Sequence, residues 1–124
     1  MPHVIIEHSA NFPKNSIQEI QTEIQKIMAS ITEGNFDPDQ CRCRSISFDE
    51  YLVGFANQSN ASFIHISIKL LSGRSVEVRK KLAAKSRDFV EKIFNELGLK
   101  NNRCDISVDV IEMDRETYQK IRIS

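Results

Sequence analysis

Residues 62–79 read Ser62-Phe63-Ile64-His65-Ile66-Ser67-Ile68-Lys69-Leu70-Leu71-Ser72-Gly73-Arg74-Ser75-Val76-Glu77-Val78-Arg79. Up to Leu71 the stretch alternates, with Ile64, Ile66, Ile68 and Leu70 on one side and Phe63, His65, Ser67 and Lys69 on the other. A period of two sustained over that length predicts a β-strand with one buried face. Gly73-Arg74-Ser75 breaks the pattern, and Ser75 stands where a helix needs an N-cap. Beyond it Leu82, Ala83, Phe89, Val90, Ile93, Phe94 and Leu97 form an apolar stripe, with Gly98 as the stop. Asp105 to Glu112 alternates again, with Ile106, Val108 and Val110 facing inward. This half of the chain therefore reads strand, helix, strand.

The preceding half repeats that order. His3 to His8 predicts a first strand centred on Val4, Ile5 and Ile6. Ser16 and Glu19 have capping-box spacing, and Ile17, Ile20, Ile24, Ile27, Met28 and Ile31 share one helical stripe, which is core packing. Gly34 and Pro38 mark the end of this helix and the loop after it. Cys41 to Asp49 predicts the second strand, with Arg42, Arg44, Ile46 and Phe48 on one face. Tyr51, Val53 and Phe55 alternate and suggest a short extra strand, Gln58-Ser59-Asn60 a polar turn, and Asp114 the cap of a terminal helical turn.

Both helices are long enough for right-handed crossovers between parallel strands. The expected architecture is α+β. It has two βαβ units, about 1–57 and 58–124, in a single domain over 1–124, sharing one four-stranded mixed sheet with both helices on one face. The other face then needs cover, which oligomerisation supplies.

Composition narrows the partners. The chain has 124 residues, 40% hydrophobic and 27% charged, with 17 Lys plus Arg against 17 Asp plus Glu. That balance creates no bulk field toward nucleic acid or anionic membranes, so an anion must be caught by locally placed Arg or Lys. No apolar run approaches the roughly 20 residues that span a bilayer, and the start lacks the pattern of a secretory signal. Cys41, Cys43 and Cys104 form no even framework, which fits reduced thiols and a cytoplasmic location. Cys41 and Cys43 share a strand face, yet no further Cys/His cluster completes a metal site.

Met1-Pro2-His3-Val4-Ile5-Ile6-Glu7, Arg42-Cys43-Arg44 and the stretch from Phe63 to Arg79 together resemble the 5-carboxymethyl-2-hydroxymuconate isomerases of the tautomerase superfamily. The likeness runs over nearly the whole chain in order and spacing. It implies the tautomerase (MIF-like) fold, a cytoplasmic homotrimer, and a keto–enol or double-bond isomerase that needs no metal or cofactor. It also implies a small di- or tricarboxylate substrate: an unsaturated 2-hydroxy acid converted to its conjugated oxo acid. Carried residue by residue, Pro2 is the proton carrier. Arg42 and Arg74 bind carboxylates and polarise the oxo group. Arg44 lies on the Arg42 face, so the choice between those two stays open.

Elementary chemistry agrees with these roles. Removal of Met1 makes Pro2 a secondary amine, and an α-amino group titrates near about 8, lower when buried or beside cations. A neutral amine near working pH is what a general base requires. Arginine stays protonated, but its planar fork binds carboxylates and stabilises a developing oxyanion. Pro2 and Arg42 open successive parallel strands and Arg74 follows a third, so all three meet at one sheet end if that third strand runs antiparallel. Two other readings remain: a tautomerase for a different enol acid, and a non-catalytic trimeric relative. The cysteines beside Arg42, the 58–61 turn and the segment after Glu112 depart from the family pattern.

Overall fold

A computed structural model describes residues 2–55, 61–99 and 102–124. Its elements are β1 (His3–Ser9), α1 (Lys14–Ser30), 3-10 turns at Thr32–Gly34 and Pro38–Gln40, β2 (Arg42–Phe48), β3 (Ser62–Leu71), α2 (Val76–Glu96) and β4 (Cys104–Met113). They form one four-stranded sheet in the order β2-β1-β3-β4. β1 runs parallel to β2, β3 parallel to β4, and the central pair β1 and β3 is antiparallel. Each helix joins two parallel neighbours.

One face of the sheet is the core. Val4 and Ile6 of β1 and Ile64, Ile66 and Ile68 of β3 are fully buried, and they meet Ile20 and Ile24 of α1 and Leu82 and Val90 of α2. Burying a side chain of that size contributes about 1.5–3 kcal/mol, so this shared apolar layer is what fixes both helices to the same face. The α2 stripe differs in detail from the sequence expectation. Val78 and Ser86 are buried, whereas Ala83, Phe89 and Leu97 lie at the margin. Ser75 caps α2, its hydroxyl accepting from the Val78 amide at 3.2 Å.

Three local expectations fail. The N-cap of α1 is Pro13, not Ser16: the Ser16 hydroxyl donates to the Pro13 carbonyl at 2.6 Å, and no side chain caps the helix. Proline's fixed φ already presets the chain for a helix start, so the helix begins earlier than a serine signal places it. Tyr51, Val53 and Phe55 form no strand. Tyr51 instead donates to the Ala61 carbonyl at 3.0 Å, Val53 is buried and Phe55 is exposed. Asp114 closes a turn and not a helix, its carboxylate accepting from the Glu116 amide at 2.9 Å. The expected Gln58-Ser59-Asn60 turn lies outside the described residues.

Among the described residues no helix covers the sheet's second face. Register places His3, Ile5 and Glu7 beside Arg42, Arg44 and Ile46 on one side and beside Lys69, Ser67 and His65 on the other. His65 and Ser107 are bonded there at 2.6 Å, while Ile46 and Ile111 remain 47% and 37% exposed. Isoleucines set among polar groups make this surface suited to a wet protein contact.

Candidate functional site

Strand direction brings the sequence candidates to one end of the sheet. Pro2 precedes β1 and is buried, and its carbonyl accepts from the Arg42 amide, where β2 begins, at 3.0 Å. The antiparallel register sets His3 opposite Lys69, so β3 finishes at this same end and delivers Arg74 just past it.

The arginines differ in what they touch. Arg74 is half-buried. Its Nε donates to the Gly34 carbonyl at 2.9 Å, its Nη1 to the Leu71 carbonyl at 3.3 Å, and its guanidinium lies 4.5 Å from the centre of the Phe36 ring. Burial, and after it the charge of Arg115, pulls its pKa below the usual arginine value. The group stays protonated, because arginine is never deprotonated in proteins at ordinary pH. Arg42 is exposed, and its Nη1 donates to the carbonyls of Asp39 at 2.9 Å and Cys41 at 3.1 Å. In both, Nη2 makes no hydrogen bond among the described residues.

Arg44 is on a different path. Its Nη1 meets His3 Nδ1 at 3.1 Å, and His3 Nε2 meets the Tyr118 hydroxyl at 2.9 Å. Arginine can only donate, so Nδ1 must accept, and the imidazole is neutral with its proton on Nε2, directed at Tyr118. Burial and the charge of Arg44 both hold the His3 pKa low, consistent with that form. Sequence reading missed this chain. Tyr118 stands 115 residues from His3, and nothing in the local pattern pairs them. The same carboxyl-terminal segment is tied across the sheet end by Arg115 to the Ser72 carbonyl, Lys120 to Gln40 at 2.9 Å, and Arg122 to Asp39 at 3.6 Å.

Cys41 and Cys43 do share one side of the chain, with their sulfurs 3.8 Å apart. A hydrogen bond from Cys41 stabilises the Cys43 thiolate and, helped by the Gln25 amide and Arg44 against the opposing effect of burial, brings its pKa down to about 7. The same contact and burial push the Cys41 thiol up. Among the described residues no group of three or more His, Cys, Asp or Glu side chains gathers as a metal site. Because the thiolate is the nucleophile, Cys43 is expected to be alkylated by iodoacetamide before the other thiols, its rate rising through a midpoint near pH 7. Peptide mapping over a pH series checks this, and a midpoint near the ordinary thiol value of about 8.5 contradicts it.

Comparison with known proteins identifies the family and the fold. A family profile described as 5-carboxymethyl-2-hydroxymuconate isomerase matches residues 2–123. Among solved structures, a 5-carboxymethyl-2-hydroxymuconate isomerase from Deinococcus radiodurans R1 superposes with a TM-score of 0.87 at 20% identity, over 98% of this chain and 90% of that one. A 5-carboxymethyl-2-hydroxymuconate delta-isomerase gives 0.81 at 17% identity, over 98% of this chain and 88% of the other. A fused 4-OT described as a symmetric trimer gives 0.65 at 13% identity, over 91% and 86% respectively. At these identities the structural likenesses establish the fold. No curated protein matches the sequence. Among the described residues no helix is long and apolar enough to cross a membrane.

Proposed function

The chain belongs to the 5-carboxymethyl-2-hydroxymuconate isomerase family, and from that premise we propose that it isomerises an unsaturated 2-hydroxy acid by proton transfer through Pro2. The observation that carries this reading is the meeting, at one sheet end, of buried Pro2, the start of β2 at Arg42, and the half-buried guanidinium of Arg74.

The chemistry needs two things. A base must take the hydroxyl proton of the dienol and return a proton to carbon, so that the enol oxygen becomes an oxo group and the double bond moves into conjugation. Pro2, freed of Met1, has a nitrogen that does both steps in turn. A cation must then hold the substrate's carboxylates and the negative oxygen formed between the steps. Arg74 is the better placed for carboxylate binding, since it is partly desolvated and keeps Nη2 for a ligand. Arg42, tied to the Pro2 backbone, is assigned the developing oxyanion. Arg44 is a less direct candidate because it is engaged with His3. The proposed reaction draws on no metal or cofactor, since an amine and guanidinium groups suffice for its charge changes.

The working unit is proposed to be a trimer of single-domain subunits. The support is the uncovered, mixed face of the sheet, together with the symmetric trimer named for a structural neighbour. Light scattering coupled to size exclusion, with each fraction assayed in the ultraviolet against hydroxymuconates and other 2-hydroxydienoic acids, tests both parts. Activity is expected in fractions of three chains. Inactivity against the whole panel would leave the chain a non-catalytic relative.

A further inference from the structure

At the opposite end of β1 a cleft of about 530 Å³ opens between α1 and the β2 edge. The sequence explains why it is there. Register pairs Ile6 with Ser45 and His8 with Ser47, which puts both serines on the helix-facing side of the sheet. On β3 the corresponding positions are isoleucines that pack against the helices. Two hydroxymethyl groups leave that volume unfilled, and the cleft's size falls within the roughly 300–1,000 Å³ typical of ligand pockets.

Three features of its lining specify a ligand. His8 is only 6% exposed, and its Nδ1 meets the Ser9 carbonyl at 2.9 Å. A carbonyl only accepts, so Nδ1 carries a proton, and in the neutral ring Nε2 is then a bare acceptor. Among the described residues that nitrogen has no hydrogen-bond partner, yet the single sealed and unpartnered polar side-chain atom there is Ser86 Oγ. Nε2 therefore opens onto the cleft and calls for a donor there. The rim is electropositive. Lys14 borders it at the first residue of α1, a helix with no side-chain cap and no acidic residue in its first turn. Phe12 and Ile17, both buried, supply an apolar floor.

We propose that this cleft is a second ligand site, built for a small organic acid that carries a hydroxyl or amino donor on an apolar skeleton. The carboxylate pairs with Lys14 and the first turn of α1, the donor reaches His8 Nε2, and the skeleton lies on Phe12 and Ile17. It is separate from the Pro2 end of the sheet, since His8 lies about 20 Å along the strand from Pro2 at about 3.3 Å per residue.

Nitrogen-15 spectra of the histidine side chains, recorded during titration with 3-hydroxybenzoate, test the proposal. His8 Nε2 is expected to move upfield and saturate as it accepts a hydrogen bond. Benzoate, which lacks the donor, should bind roughly fivefold more weakly, and methyl 3-hydroxybenzoate, which lacks the anion, about tenfold or more weakly. Ser47→Leu, which fills the cleft from an exposed position, should remove binding and leave the thermal midpoint unchanged or higher. A His8 resonance that does not move at millimolar probe, equal affinity for all three probes, or undiminished binding by Ser47→Leu would each overturn it.

Discussion

A single residue added ahead of Pro2 is expected to abolish most isomerase activity while leaving the fold intact. The addition turns the proline nitrogen into an amide, which has no basic lone pair near neutral pH. General base catalysis is worth roughly 10²–10⁴ in rate, so kcat should fall by about that factor. Folding should not suffer, because the contact that anchors this residue is made by its carbonyl, which accepts from the Arg42 amide at 3.0 Å. Mass spectrometry of the unextended protein should show Met1 removed, and circular dichroism of the extended form should match it. Pro2→Ala keeps a terminal amine and should retain part of the activity. That separates the need for a free nitrogen from the need for the proline ring. Full activity in a protein whose Pro2 nitrogen is acylated would assign the proton to another residue.

The elements framing this site were legible in the sequence for a simple reason. β3 is a central strand packed on one face only, so burial writes a strict alternation into it and it occupies Ser62–Leu71 as its pattern indicates, while β1 shows itself as the short apolar run Val4–Ile6. The Ser75 cap fixes where α2 begins in the same local way. From strand directions alone Pro2, Arg42 and Arg74 follow to one sheet end. What the sequence left unread are contacts between distant segments. Arg74 reaches the Gly34 carbonyl 40 residues away, and His3 reaches Tyr118 across 115. Periodicity describes which face a residue lies on, and it carries no information about which carbonyl a long side chain will find. The 51–55 segment failed for a related reason. Its alternation is real, but alternation names no partner strand, and Tyr51 is held instead by the Ala61 carbonyl.

Those distant contacts bear on the second large effect, the loss of Arg74. Arg74→Ala is expected to lower kcat/KM by roughly ten- to a hundredfold, the size of about 1.5–3 kcal/mol for a hydrogen bond to a charged partner. Most of the change should fall on KM, since a carboxylate remote from the reacting carbons is held equally in ground and transition states. The variant also loses two carbonyl contacts and the stacking on Phe36, so the 34–36 loop should loosen. A cation–π contact contributes about 0.5–1 kcal/mol where exposed, and a hydrogen bond donated by a charged guanidinium contributes more than a neutral one, so thermal stability should drop as well. Arg74→Lys distinguishes the two roles. Lysine keeps the charge and reaches one carbonyl, which should restore part of the stability, but it lacks the planar fork that grips a carboxylate with two parallel bonds. The expected result is a thermal midpoint between wild type and Arg74→Ala, with KM remaining close to that of Arg74→Ala. If Arg74→Lys recovers stability and KM together, the positive charge suffices at this position and the planar fork is not needed to hold the carboxylate. If Arg74→Ala leaves KM unchanged, the substrate's carboxylate is held by another cation, and Arg42, whose Nη2 makes no hydrogen bond among the described residues and whose amide donates to the Pro2 carbonyl, is the next candidate.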